Sequence, residues 1–179
     1  VTVGRPGNRE RMAFVYDTRK VKFGGLSGEI VLPEEKTEEG ILQPVEQLAR
    51  SPFIVGFQAG WYRFALSTVH LIYGEGTSNA PERVREARLL SDFLAKRADE
   101  PTAWASTLVL LGDFNIFKPN NEVFAEIARN FFIPEELQQL PTNVPQNKHY
   151  DQIAFRSPYL EELQLFMEKG GKLNAGVFN

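Results

Sequence analysis

The sequence predicts an α+β domain built on stacked β-sheets rather than on a doubly wound parallel sheet. Three observations predict it. Apolar β-rich runs and helical periodicities intermix along the chain without a regular strand–helix–strand rhythm. Two of the runs, Pro52 to Gln58 and Trp61 to Leu71, are separated only by Ala59-Gly60, a hairpin pattern. The run Leu108-Val-Leu-Leu111 is short and continuously apolar, the mark of a strand buried on both faces.

In chain order, Arg11-Met-Ala-Phe-Val-Tyr16 reads as a strand, followed by a turn at Asp17 to Lys20 and a second strand from Val21 to Phe23. Gly24, Gly25 and Gly28 are expected to break or bend the chain before Glu29 to Leu32, and the acidic stretch Pro33 to Gly40 reads as a solvated loop. The hairpin's second strand gives way at Gly74 and Gly76. Asn79-Ala-Pro-Glu82 has the form of a helix start, with Asn79 as cap, an early proline and a glutamate three residues after the cap. Val84, Ala87, Leu90 and Leu94 follow at helical spacing, which predicts an amphipathic helix over Pro81 to Arg97. Its Arg83, Arg85 and Arg88 interleave with Glu82 and Glu86, the pattern of a solvated ion-pair face. Asn121 to Asn130 reads as a second helix with Val123, Phe124 and Ile127 on one side. Pro134 to Asn147 is expected to be mostly loop, and Tyr150 to Phe155 the last clear strand. Trp61 and Trp104 are expected in the core rather than as base-stacking platforms.

The composition, 179 residues with 42% hydrophobic and 24% charged, is that of a globular chain with room for one substantial core. The net charge of −3 supplies no global positive field for nucleic acid, while leaving room for a local basic groove. Cysteine is absent, which excludes disulfides and thiolate metal sites, and the two histidines, His70 and His149, are too few for a multi-histidine zinc site. No apolar run is long enough to span a bilayer. The chain opens on Val1 rather than methionine and stops at Gly176-Val-Phe-Asn179 within an apparent element. A single domain over 1–179, cut short at both ends, is therefore expected.

Three short segments carry chemistry. Gly112-Asp-Phe-Asn115 follows the buried run, and strand alternation would put Asp113 and Asn115 on one side with Phe114 on the other. A carboxylate can hold a hard cation or orient a water, and a carboxamide can donate to a phosphoryl oxygen. The same residues also suit a plain strand-to-turn junction. Thr68-Val-His70 ends an apolar strand, where a histidine either contacts a phosphate or is a half-buried structural residue. Tyr150-Asp-Gln-Ile153 places an acid in a β-run, where it needs a histidine, a metal or a backbone partner.

These segments bring out a resemblance. Glu10-Arg-Met-Ala-Phe-Val-Tyr16, Arg50-Ser-Pro-Phe53, Thr68-Val-His70, Gly112-Asp-Phe-Asn115 and Tyr150-Asp-Gln-Ile153 occur in the order and rough spacing of the endonuclease/exonuclease/phosphatase superfamily. The chain most resembles its pancreatic-type deoxyribonuclease branch. The resemblance implies a four-layered α/β/β/α sandwich and hydrolysis of a phosphoester, with DNA or RNA as the expected substrate and Mg²⁺ or Mn²⁺ as the expected cofactor. It further implies that Asp113 orients the attacking water and helps hold the metal, and that Asn115 and His70 contact the scissile phosphate. Glu10 is implied to orient the His70 imidazole, Asp151 a second histidine, and Arg50 to lie near the phosphate groove. A phosphatase, a phospholipid phosphodiesterase and a non-catalytic binding module are the alternatives. Two departures stand out. The superfamily's metal-binding asparagine and glutamate would precede this chain, and Asn8 stands in the wrong context to replace that asparagine. No Ser-Asp-His follows Ile153, and His149, before Asp151, reads as a loop histidine. The chain by itself is accordingly expected to be inactive or nearly so.

Overall fold

The computed structural model describes residues 11–169. Five strands form one sheet in the order β1-β4-β5-β6-β7. They are β1 (Lys22–Glu29), β4 (Phe53–Ala59), β5 (Tyr62–His70), β6 (Leu108–Asp113) and β7 (Asp151–Arg156). A small ladder joins β2 (Glu35–Lys36), inside the acidic stretch, to β3 (Leu42–Gln43) just after it. The helices are α1 (Pro81–Asp99), α2 (Glu122–Ala128), α3 (Glu135–Gln139) and α4 (Leu160–Glu168). Among the described residues no helix is long and apolar enough to cross a membrane.

The predicted hairpin is present: β4 and β5 pair antiparallel from Phe53↔Thr68 to Ala59↔Tyr62. β5 then pairs parallel with β6, which requires a crossover, and α1 supplies it. α1 buries Ala87, Leu90, Leu94 and Ala98, and α2 buries Val123, Phe124 and Ile127. Both join one core with Ala65, Val69, Leu108, Leu110 and Ala154 of the sheet. Each fully buried aliphatic side chain stabilises this layer by roughly 1.5–3 kcal/mol.

Several expectations are corrected. The segment Met12 to Tyr16 runs outside any ladder. Its rings make the attachment instead of its backbone: Phe14 and Tyr16 pack on Phe57 at 6.0 and 5.0 Å between centroids. The glycines after Phe23 do not end the strand. β1 continues through Gly24, Gly25 and Gly28 with one register irregularity between Phe23 and Ser27. The Trp104 ring occupies the space left by Gly24 and by Gly56 of the neighbouring β4, since a Cβ on either would lie 2.2 or 2.7 Å from it. Trp61 lies at the hairpin tip and is 87% exposed, so it is not a core residue. α1 starts at Ala80 without a side-chain cap, because Asn79 donates instead to Glu122 Oε1 at the start of α2, 3.1 Å away. Asn121 does cap α2, accepting from Phe124 N at 3.0 Å. The run Leu108–Leu111 is buried on one face only: Leu108 and Leu110 face the helices, while Val109 and Leu111 are partly covered.

The largest correction concerns α1. Arg83 and Glu86 are not on a solvated face but are 0% and 4% exposed. The Arg83 guanidinium donates to the carbonyls of Ile72, Thr77, Ser78 and Tyr73. It also stacks 4.9 Å from the centre of the Phe117 ring. Glu82, Arg85 and Arg88 keep the outward role, with Arg85 Nη1 3.3 Å from Glu46.

Candidate active site

Strand register assembles the site. Parallel pairing sets His70 opposite Asp113, and antiparallel pairing sets Asp113 opposite Asp151. Ladder partners project to the same face, so the three side chains form one row across β5, β6 and β7 at the end of the sheet. This is the face that the helices leave open. His70 Nε2 lies 3.6 Å from Asp113 Oδ2, an ion-pair distance rather than a hydrogen bond.

Gly112 makes the row possible. Its φ is 139°, and a Cβ there would lie 2.0 Å from Val69 O, so only glycine lets β6 sit this close to β5 beside the site. Immediately after Asp113 the strand ends. Asn115 N donates to Asp113 Oδ1 at 2.8 Å, an Asx turn, and Asn115 takes a left-handed φ of 51°. Asn115 therefore reaches the His70 strand through a turn and not through the alternation expected of it. It is 3% exposed, and its Nδ2 donates to Leu71 O at 2.8 Å. Phe114 turns into the core at 1% exposed.

Burial raises the Asp113 carboxyl above its ordinary range, and nearby Asp151 adds to the rise. The Asn115 N–H, His70 and Arg50 oppose it. Arg50 is partly buried just before β4, and its neighbour Ala49 donates its N–H to Glu86 Oε1 at 2.5 Å. Asp151 is exposed, so it bears no desolvation cost in the strand, and its N–H donates to Thr142 Oγ1 at 2.9 Å. His149 is the loop histidine expected: it is buried, with Nδ1 3.0 Å from Leu140 O. Glu10 and Asn8 lie outside the described residues. Register thus brings His70, Asp113 and Asp151 into one row, with Asn115 buried in the turn after Asp113 and Arg50 in the bend before β4.

Arg83 and Glu86 were missed by the sequence reading. A signal for the first was available: Arg83, Ala87, Leu90 and Leu94 follow the four–three–four spacing of a single buried stripe. Burial lowers the Arg83 pKa, opposed by Tyr73, Tyr150, Asp113 and Glu82.

A hard cation such as Mg²⁺ takes six oxygens in near-octahedral array. One oxygen of Asp113 is occupied by the Asn115 N–H. Among the described residues no three His, Asp or Glu side chains converge on one point. These residues alone do not fit a complete Mg²⁺ or Mn²⁺ site.

No family model matches the chain. A curated deoxyribonuclease of Thioalkalivibrio sp. (strain K90mix) is 28% identical over 127 residues, which is 70% of this chain and 31% of that protein. The catalytic domain of human Nocturnin, solved with a bound sulfate, superposes with a TM-score of 0.56 at 16% identity over 77% of this chain and 49% of that one. An endonuclease/exonuclease/phosphatase family protein of Bacteroides thetaiotaomicron gives 0.52 at 16% identity over 80% of this chain and 54% of that one. The sheet with its helix layer is therefore that of the deoxyribonuclease I-like fold. The chain spans about a third of the curated relative and about half of those two structures.

Proposed function

We propose that this chain supplies the phosphate-holding and water-orienting half of a phosphodiesterase site acting on nucleic acid. The observation that supports it is the row of His70, Asp113 and Asp151 with Arg50 and Asn115 beside it. Asp113, its basicity raised by burial, orients a water for in-line attack and accepts its proton. His70 and Arg50 donate to phosphoryl oxygens, where preorganised charge contributes most. Asn115 has one amide N–H on Leu71 O and a second N–H to give a phosphoryl oxygen. Asp151 and Glu10 are the acids proposed to orient histidines. Superfamily members are generally dependent on a divalent metal. Mg²⁺ or Mn²⁺ is proposed as cofactor with Asp113 as the carboxylate this chain would offer, and no step above depends on it.

The test measures binding and turnover of a short single-stranded DNA by the 179-residue chain at several salt concentrations. Binding should weaken steeply with salt as counterions are released, and Arg50→Ala and His70→Ala should each weaken it about tenfold, the worth of one charged hydrogen bond. Turnover should be at least ~10³-fold below that of a complete enzyme of this class, and Asp113→Ala should remove what remains. Binding indifferent to salt and to both substitutions would sink the nucleic-acid reading in favour of a small phosphoester. Salt-dependent binding with no turnover that Asp113→Ala can abolish would favour a binding module.

A further inference from the structure

Arg50 lies in the bend before β4 and His70 ends β5, twenty residues apart in sequence, yet the proposed site needs both at one phosphate. A single buried carboxylate ties their segments together. Glu86 accepts from Ala49 N at 2.5 Å through Oε1 and from Ile72 N at 2.8 Å through Oε2. Ala49 immediately precedes Arg50, and Ile72 follows His70 by two residues. The carboxylate is carried on α1, a 19-residue helix packed against the sheet, so its position is fixed independently of both loops.

The stretch after His70 has the rest of its backbone bonded as well. Leu71 N donates to Asp113 O at 2.9 Å, and Leu71 O accepts from Asn115 Nδ2. Ile72 O and Tyr73 O accept from Arg83, one turn before Glu86 on the same helix. Of these partners Glu86 is the one that also reaches the Arg50 segment.

We propose that Glu86 is a positioning residue, whose carboxylate bridges the Ala49 and Ile72 amides and so sets Arg50 and His70 at the separation one phosphate requires. This rests on the phosphoester reading of the site. A bidentate carboxylate suits the task because its two oxygens accept from two N–H groups at a fixed spacing, and a buried charge with both bonds made is costly to displace. Glutamine keeps one carbonyl acceptor but turns an NH₂ toward the other N–H, so Glu86→Gln should keep one tie and lose the other.

Inorganic phosphate is titrated into the full chain while the Arg50 Nε–H and His70 ring resonances are followed by NMR, with amide exchange recorded at Ala49 and Ile72. In the unaltered chain both resonances should shift together with one Kd. Glu86→Ala should speed exchange at both amides and weaken phosphate at least tenfold. Glu86→Gln should speed exchange mainly at one amide and weaken phosphate by an intermediate factor. Leu94→Ala, destabilising from the same helix without touching either loop, should leave the phosphate Kd within twofold. Should Glu86→Ala fail to fold, Glu86→Gln decides. The proposal falls if the Glu86 variants free their amides yet keep the phosphate Kd within twofold, or if Leu94→Ala weakens phosphate as much as they do. An unaltered chain in which phosphate moves neither Arg50 nor His70 overturns the phosphoester reading itself, and the positioning role with it.

Discussion

On β6, Leu108 and Leu110 are 4% and 0% exposed beneath α1 and α2, while Val109 and Leu111 between and after them lie on the opposite, partly covered face. The same contrast holds on β7, where Ala154 is 0% and Ile153 39% exposed. One step along a strand moves a side chain from one face to the other. The helix-covered face is close-packed and apolar, whereas the open face ends in the row of His70, Asp113 and Asp151. Close packing on one side fixes the strands against each other, and that leaves the other side free to carry a desolvated carboxylate that packing alone would not favour.

Both faces depend most heavily on one residue, Gly112. Gly112→Ala forces a side chain into φ 139° and against Val69 O. A loss of roughly 4 kcal/mol or more is expected, with failure of the chain to fold as the direct readout in far-UV circular dichroism and denaturant melts.

The two faces themselves should respond differently to equal truncations. Leu110→Ala on the packed face should cost about 3 kcal/mol in urea unfolding, and Ile153→Ala on the open face about 1 kcal/mol or less. Equal losses would mean that the open face is packed against something in solution.

The smallest effect has the opposite sign. Asp113 binds its proton more tightly in the folded chain than in the unfolded one, because burial raises its folded pKa. Its ionisation therefore costs stability as pH rises from the unfolded-state carboxylate value through the raised folded value, and at lower pH the cost vanishes. Asp113→Asn should raise the thermal midpoint by roughly 2 °C at neutral pH, with the gain gone in acid below the ordinary carboxylate range. A variant less stable than the parent at neutral pH would show that the His70 and Arg50 charges outweigh the burial.

Short-range pattern made much of this legible. The hairpin could be read from two apolar runs around Ala59-Gly60, and α1 from Val84, Ala87, Leu90 and Leu94 at helical spacing. The Gly112 to Asn115 segment stood out because an uninterrupted apolar run must end where polar residues can reach the surface. Trp61, exposed at the hairpin tip, aside, the expectations for Gly24, Arg83 and Glu86 failed because each depended on a partner far along the chain. Gly24 looked like a strand breaker until Trp104 filled the space above it. Arg83 and Glu86 looked solvated because their charges suit a surface, and nothing local announces that the carbonyls of residues 72–78 and the amides of Ala49 and Ile72 will meet them.

By itself, then, the sequence determined the class, the main elements and the identity of the chemical side chains, because periodicity and turn chemistry act over a few residues. The tertiary structure decided which of those side chains share a site. His70 faces Asp113 only because α1 packs on the sheet and brings β6 alongside β5 in one register, across a crossover of some forty residues. A shift of one residue in that register would turn the row to the other face, so the site depends on long-range packing that no local pattern encodes.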